Sequence, residues 1–66
     1  MAEYPIRDLT QREKEIAQYV VEGFTNREIA GREGIGLQTV KNTVSTIYRK
    51  LQIHSRAELM ARIPQK

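Results

Sequence analysis

Leu37-Gln38-Thr39-Val40-Lys41-Asn42-Thr43-Val44-Ser45-Thr46-Ile47-Tyr48-Arg49-Lys50-Leu51 carries two patterns at once. Val40, Val44, Ile47 and Leu51 recur at i, i+4, i+7 and i+11, which is one face of an α-helix. Gln38, Lys41, Asn42, Ser45 and Arg49 fall on the opposite face at the same spacing. The first face requires a core. The second presents amide, hydroxyl and cationic groups on a rigid rod.

The segments before the rod position it. Thr10-Gln11-Arg12-Glu13 has the spacing of a capping box, with Leu9 ahead of it as a hydrophobic staple. The helix it opens runs to about residue 22 and buries Ile16, Ala17, Val20 and Val21. Gly23 stops it in a left-handed conformation, and Phe24 turns inward. Thr25-Asn26-Arg27-Glu28 is a second box, opening a short helix over 26–33 with Ile29 and Ala30 facing in. Gly31 weakens that helix by about 1 kcal/mol relative to alanine, so tertiary packing must hold it. Gly34-Ile35-Gly36 forms the turn into the rod, with Ile35 as an apolar plug and Gly36 as an N-cap that has no side-chain oxygen. A short helix, a tight glycine turn and a longer polar-faced helix make a helix-turn-helix pattern.

The segment after the rod steadies it. Gln52 occupies the helix stop, and Ile53 supplies the apolar contact beyond it. Ser55-Arg56-Ala57-Glu58 is a third box, opening a last helix over about 56–63. Ala57, Met60 and Ile63 are expected to form its apolar face with Leu59 beside it, and Pro64 marks its end. The expected fold is therefore all-α, a compact four-helix domain with helices at about 10–22, 26–33, 37–51 and 56–63. Residues 1–8 read as an extended arm or the remnant of a linker, from which Tyr4 and Ile6 can pack back, and 9–66 as the domain.

Sixty-six residues make one domain, which buries only about 60% of its unfolded surface. With no cysteine and a single histidine there is no disulfide and no ligand set for structural zinc, so neither metal nor cofactor is expected. No signal peptide or membrane span is read, and a cytoplasmic location is expected. The carboxylates fall mostly at capping positions or on polar helix faces, His54 stands alone in a loop, and no enzyme is expected.

The net charge of +3 is unevenly spread. Residues 1–36 hold five cationic and seven acidic side chains, whereas 37–66 hold six cationic ones against Glu58 alone. The rod lies in the basic part, which points to a polyanionic partner. Side chains that reach base edges in a major groove must lie on one helical face, and Gln38, Lys41, Asn42 and Ser45 meet this. Glutamine and asparagine suit adenine, lysine suits the O6 and N7 edge of guanine, and serine is adaptable. Backbone contacts are expected from Thr25 and Asn26 at a helix start, from Thr39, and from Arg27, Arg49 and Lys50 as flankers, with His54 a weaker candidate. Tyr48 is expected to be partly buried against the last helix.

The stretches Leu9–Glu13, Glu22–Ala30, Thr39–Asn42 and Arg49–Arg56, taken in that order, resemble the LuxR/GerE-type helix-turn-helix family over about Leu9 to Ile63. The resemblance implies the DNA-binding domain of a bacterial transcription regulator, with its third helix in the major groove. Lys41, Asn42 and Ser45 match that family's groove-reading positions, and Thr25, Asn26 and Thr39 its phosphate contacts. It also implies a homodimer on DNA through the last helix, whose apolar residues are Leu59, Met60 and Ile63, RNA polymerase as a further partner, and a place on the bacterial nucleoid. The chain departs from the family pattern at four positions. Glu33 stands where leucine is frequent, Gly36 where serine or threonine is, Thr43 where histidine is, and Gln52 where glycine is. Glu33 is expected to weaken the packing of the second helix, and Gly36 the start of the rod. Two other functions fit a basic helical domain: a protein-interaction module that uses its last helix and has lost DNA binding, and a sigma-factor-like promoter reader. The stretch from Arg49 to Arg56 leading into a fourth helix argues against the latter.

Overall fold

The computed structural model describes residues 9–63. The arm over 1–8, including Tyr4 and Ile6, and the stop at Pro64 lie outside the described residues. Four helices follow one another: α1 (Gln11–Val21), α2 (Asn26–Glu33), α3 (Leu37–Leu51) and α4 (Arg56–Arg62), with no strand among the described residues. The two central helices have the expected bounds. The outer two are slightly shorter, because Thr10, Glu22 and Ile63 are caps rather than helical residues. Among the described residues no helix is long and apolar enough to cross a membrane.

The capping boxes at Thr10 and Thr25 are both complete. The Thr10 hydroxyl accepts from the Glu13 amide at 3.1 Å while the Glu13 carboxylate accepts from the Thr10 amide at 2.9 Å. Thr25 and Glu28 repeat the arrangement at 3.0 and 2.9 Å. The third is half a box. Ser55 Oγ accepts from the Glu58 amide at 3.2 Å, but the Glu58 carboxylate reaches one residue further back and takes the His54 amide at 2.9 Å. The extended Ser55 backbone (φ −149°, ψ 162°) accompanies that shift.

Three helices end in the same way. The amides of Phe24, Ile35 and Ile53 donate back to the carbonyls of Tyr19, Ala30 and Tyr48, five residues earlier in each case, at 3.0–3.1 Å. The residue before each donor is left-handed: Gly23, Gly34 and Gln52. This reversal satisfies carbonyls that a helix end leaves open and turns the next apolar side chain toward the core. Ile53 is buried, and Phe24 and Ile35 are partly buried against the core.

α3 packs on both α1 and α2, and α1 also on α4. Ile16, Ile29, Val40, Ile47, Leu51 and Leu59 are fully buried, with Leu9, Ala17, Val20, Val21, Ala30, Ile53 and Ile63 around them. Val44 and Tyr48 are partly buried against this core, so the apolar stripe of α3 faces inward along its length. One expectation is corrected. The inward face of α4 is Leu59 and Ile63, while Ala57 and Met60 point to solvent. Leucine and isoleucine remove more apolar area from water than alanine and an adaptable methionine, and this sets the rotation of a helix only two turns long.

Polar ties between distant segments complete the frame. Arg12 Nε lies 3.1 Å from Glu33 Oε1, joining the start of α1 to the end of α2. Glu33 therefore secures the second helix where it was expected to loosen it. Arg62 Nη1 donates to the Leu51 carbonyl at 3.1 Å and closes the end of α3. Phe24 stands edge-on to Tyr19 with ring centroids 5.2 Å apart, and the Arg32 guanidinium lies 4.5 Å from the Phe24 centroid.

Candidate nucleic-acid interface

α3 is 15 residues long, about 22 Å at 1.5 Å per residue. With Val40, Ile47 and Leu51 buried, the helix cannot rotate without exposing them. Its outer face is thereby fixed, and Gln38, Thr39, Lys41, Asn42, Ser45 and Arg49 are all exposed on it. The first turn contains no acidic residue, and the last turn holds Arg49 and Lys50. Lysine and arginine there suit the negative end of the helix dipole.

The side chains of this face are partly organised by one another. Gln38 Nε2 donates to Asn42 Oδ1 at 3.0 Å, one helical turn away. The Thr43 and Thr46 hydroxyls donate to the carbonyls of Thr39 and Asn42, at 2.8 and 3.0 Å. These two threonines sit at the flanks of the face, half-buried, with their hydroxyl protons turned onto the helix backbone.

At the start of α2, Thr25 is the N-cap and its hydroxyl oxygen is engaged by the Glu28 amide. The helix-start amides beyond it belong to Asn26 and Arg27, at the positive end of the dipole. The Arg27 side chain is exposed and that of Asn26 half-exposed. Lys50 differs from the other expected backbone contacts. Its Nζ lies 2.8 Å from Glu13 Oε1, a carboxylate whose side chain is 12% exposed. The lysine therefore ties α3 to the Thr10 box of α1. The hydrogen bond from Lys50, with lesser help from the Thr10 amide, holds the Glu13 carboxyl below its ordinary value against the opposing effect of burial.

The expected dimer residues divide. Leu59 is fully buried and Ile63 is 9% exposed, both within the core of their own chain. They are not available to a second copy. Met60 is 40% exposed, with Ala57 and Ala61 exposed beside it on α4. Spacing alone gave no sign of Glu13, Glu33 and Arg62, whose partners lie on other segments. For the Glu13–Lys50 pair the hint was the excess of carboxylates before residue 37 facing the excess of cations after it, whereas Arg12–Glu33 lies within the first of those stretches and Arg62 meets a backbone carbonyl.

The profile described as "Bacterial regulatory proteins, luxR family" matches residues 7–63. The chain belongs to the luxR family. Its helix-turn-helix is the DNA-binding fold of transcription regulators, and the polar face of α3 lies on the second helix of that unit. Similar luxR-type proteins include the probable transcriptional regulatory protein SgaR of Hyphomicrobium methylovorum, 40% identical over 57 residues. That match covers 86% of this chain and 27% of SgaR. The transcriptional regulatory protein DesR of Bacillus subtilis is 40% identical over 58 residues, 88% of this chain and 29% of its own length. The response regulator protein VraR of Staphylococcus aureus is 42% identical over 50 residues, 76% of this chain and 24% of its own length. The chain thus spans about a quarter of the length of these regulators.

Proposed function

We propose that this luxR-type domain reads a specific duplex sequence by inserting α3 into the major groove. Lys41, Asn42 and Ser45 meet base edges, with Gln38 beside them. Thr39, Arg49, Asn26, Arg27 and the Thr25 helix start hold the phosphates. The observation that carries this reading is the exposed row Gln38, Lys41, Asn42, Ser45 and Arg49, set directly opposite fully buried Val40 and Ile47. A buried stripe gives the rod one orientation, and the opposite row has the donors and acceptors that base edges require.

One small domain covers a limited interface, so useful affinity requires two copies on paired half-sites. The exposed strip Ala57, Met60 and Ala61 on α4 is the apolar surface available for that pairing. In the cell the domain works in the cytoplasm on the nucleoid, as the output module of a regulator of the response-regulator kind, with RNA polymerase as its downstream partner. Selection from a pool of random duplexes tests the central reading. Enrichment of one sequence, with affinity falling steeply as salt rises, is the expected result. A pool that returns no enriched sequence overturns it.

A further inference from the structure

Three helices stop by the same reversal, and two of them use glycine for its left-handed residue. The third stop, at the end of α3, uses Gln52 at φ 57° and ψ 46°. A Cβ in that conformation crowds the following carbonyl, so this stop carries a strain that Gly23 and Gly34 do not. The hydrogen bonds of the stop are all backbone, from the Gln52 amide to the Tyr48 and Arg49 carbonyls and from the Ile53 amide to the Tyr48 carbonyl. They need no side chain at 52. That side chain is exposed and makes no hydrogen bond among the described residues. A strained residue whose side chain is unused within its own domain points to a contact outside it.

The place of Gln52 says what that contact is. It follows Lys41, Ser45 and Arg49 at i+11, i+7 and i+3, so it continues the exposed row of α3 at the far end, about 16 Å along the axis from Lys41. A groove helix meets base edges chiefly with its first turns, and its last turn lies nearer the sugar-phosphate backbone. A glutamine amide there is a neutral donor for a phosphate oxygen. We propose that Gln52 is a phosphate contact that positions the reading helix, its amide donating to the DNA backbone at the end of α3. This inference rests on the reading of α3 as the groove helix.

Gln52→Gly and Gln52→Ala test this together. Both remove the amide, but only glycine relieves the left-handed crowding. Gln52→Gly should melt roughly 4–8 °C above the original chain. It should nevertheless bind the selected duplex and a random-sequence duplex about three- to tenfold more weakly, the effect of one hydrogen bond. Stability and affinity then move in opposite directions, which a purely structural role does not produce. Gln52→Ala should melt with the original chain and show the same loss of affinity. The salt slope should be unchanged in both variants, because a neutral amide displaces no counterion. Circular dichroism melts and anisotropy titrations at several salt concentrations, below all three midpoints, give these readings. Undiminished affinity in Gln52→Ala overturns the contact even where Gln52→Gly binds weakly, since that loss would come from a loosened stop. A loss confined to the selected duplex also overturns it. Either result leaves the groove reading intact, whereas an original chain that binds neither duplex overturns both.

Discussion

Lys50 Nζ donates to Glu13 Oε1 across 2.8 Å, tying the last turn of α3 to the first turn of α1. Glu13 is also half of the Thr10 capping box. One carboxylate therefore caps α1 and also ties it to α3, through a lysine 37 positions away.

That double role makes stability pH-dependent in a definite direction. In the folded chain the Glu13 carboxyl lies below its ordinary value of 4.5, chiefly through the Lys50 hydrogen bond. The pair's contribution is fully present above 4.5 and is lost as pH falls from there through the lowered folded value. Glu13→Gln keeps both box hydrogen bonds, since glutamine serves at that position, but removes the charge. At pH 7 it should lower stability by about 1 kcal/mol, because the lysine end is one-third exposed and screened. Between pH 5 and pH 3, roughly the span in which carboxylates protonate, the difference from the original chain should shrink. Urea unfolding at several pH values checks this. A gap that stays constant on acidification would show that the charge contributes nothing.

Exposed cations and the tied one should respond differently on DNA. Lys41→Ala should weaken binding to the selected site by about 1–3 kcal/mol and relax preference at one base. Arg49→Ala should weaken all duplexes alike and reduce the salt slope by about 1. Lys50→Ala should act mainly through stability. Gel shifts on selected and random duplexes separate the three, and equal loss on both duplexes for Lys41→Ala would count against base reading.

Gln52 is the one non-glycine residue with positive φ among those described, at φ 57° and ψ 46°. A side chain there crowds the following carbonyl, and glycine does not. Gln52→Gly should raise stability by about 1 kcal/mol, or roughly 4–8 °C in melting temperature for a domain of this size. Thermal unfolding followed by circular dichroism gives the answer, and an unchanged or lower midpoint would mean that the Gln52 side chain makes a compensating contact.

The contrast between Gln52 and Glu13 shows what was legible in the sequence. Helix starts at Thr10 and Thr25 and stops at Gly23 and Gly34 depend on residues three to five apart, so a linear reading finds them. The inward stripe of α3 has four apolar residues from Val40 to Leu51, and one phase satisfies all of them. The partners of Glu13, Glu33 and Arg62 depend on how helices cross, which no local period encodes. Of the expected interface residues, the α3 face came out on one exposed side as its spacing implied, whereas Lys50 was claimed by a carboxylate on α1. In α4, apolar residues at 57, 59, 60 and 63 support two phases, and the larger side chains chose between them only through the core they meet.

Leu59 and Met60 adjoin in sequence and lie on opposite sides of the chain's own surface, so substitution should separate core from partner surface. Leu59→Ala removes a fully buried side chain and should cost about 2–5 kcal/mol. A domain this small has only a few kcal/mol of net stability, so this variant should be largely unfolded at 25 °C. Met60→Lys should change monomer stability by no more than about 0.5 kcal/mol, as for most surface substitutions. It also places a charge in the middle of the Ala57, Met60 and Ala61 strip. On a duplex with two half-sites the second copy should then bind with lost cooperativity, while binding to a single half-site is retained. Circular dichroism melts paired with titrations of one-site and two-site duplexes measure both effects. Undiminished cooperativity in Met60→Lys would rule out this strip as the pairing surface and leave the groove face of α3 untouched by the result.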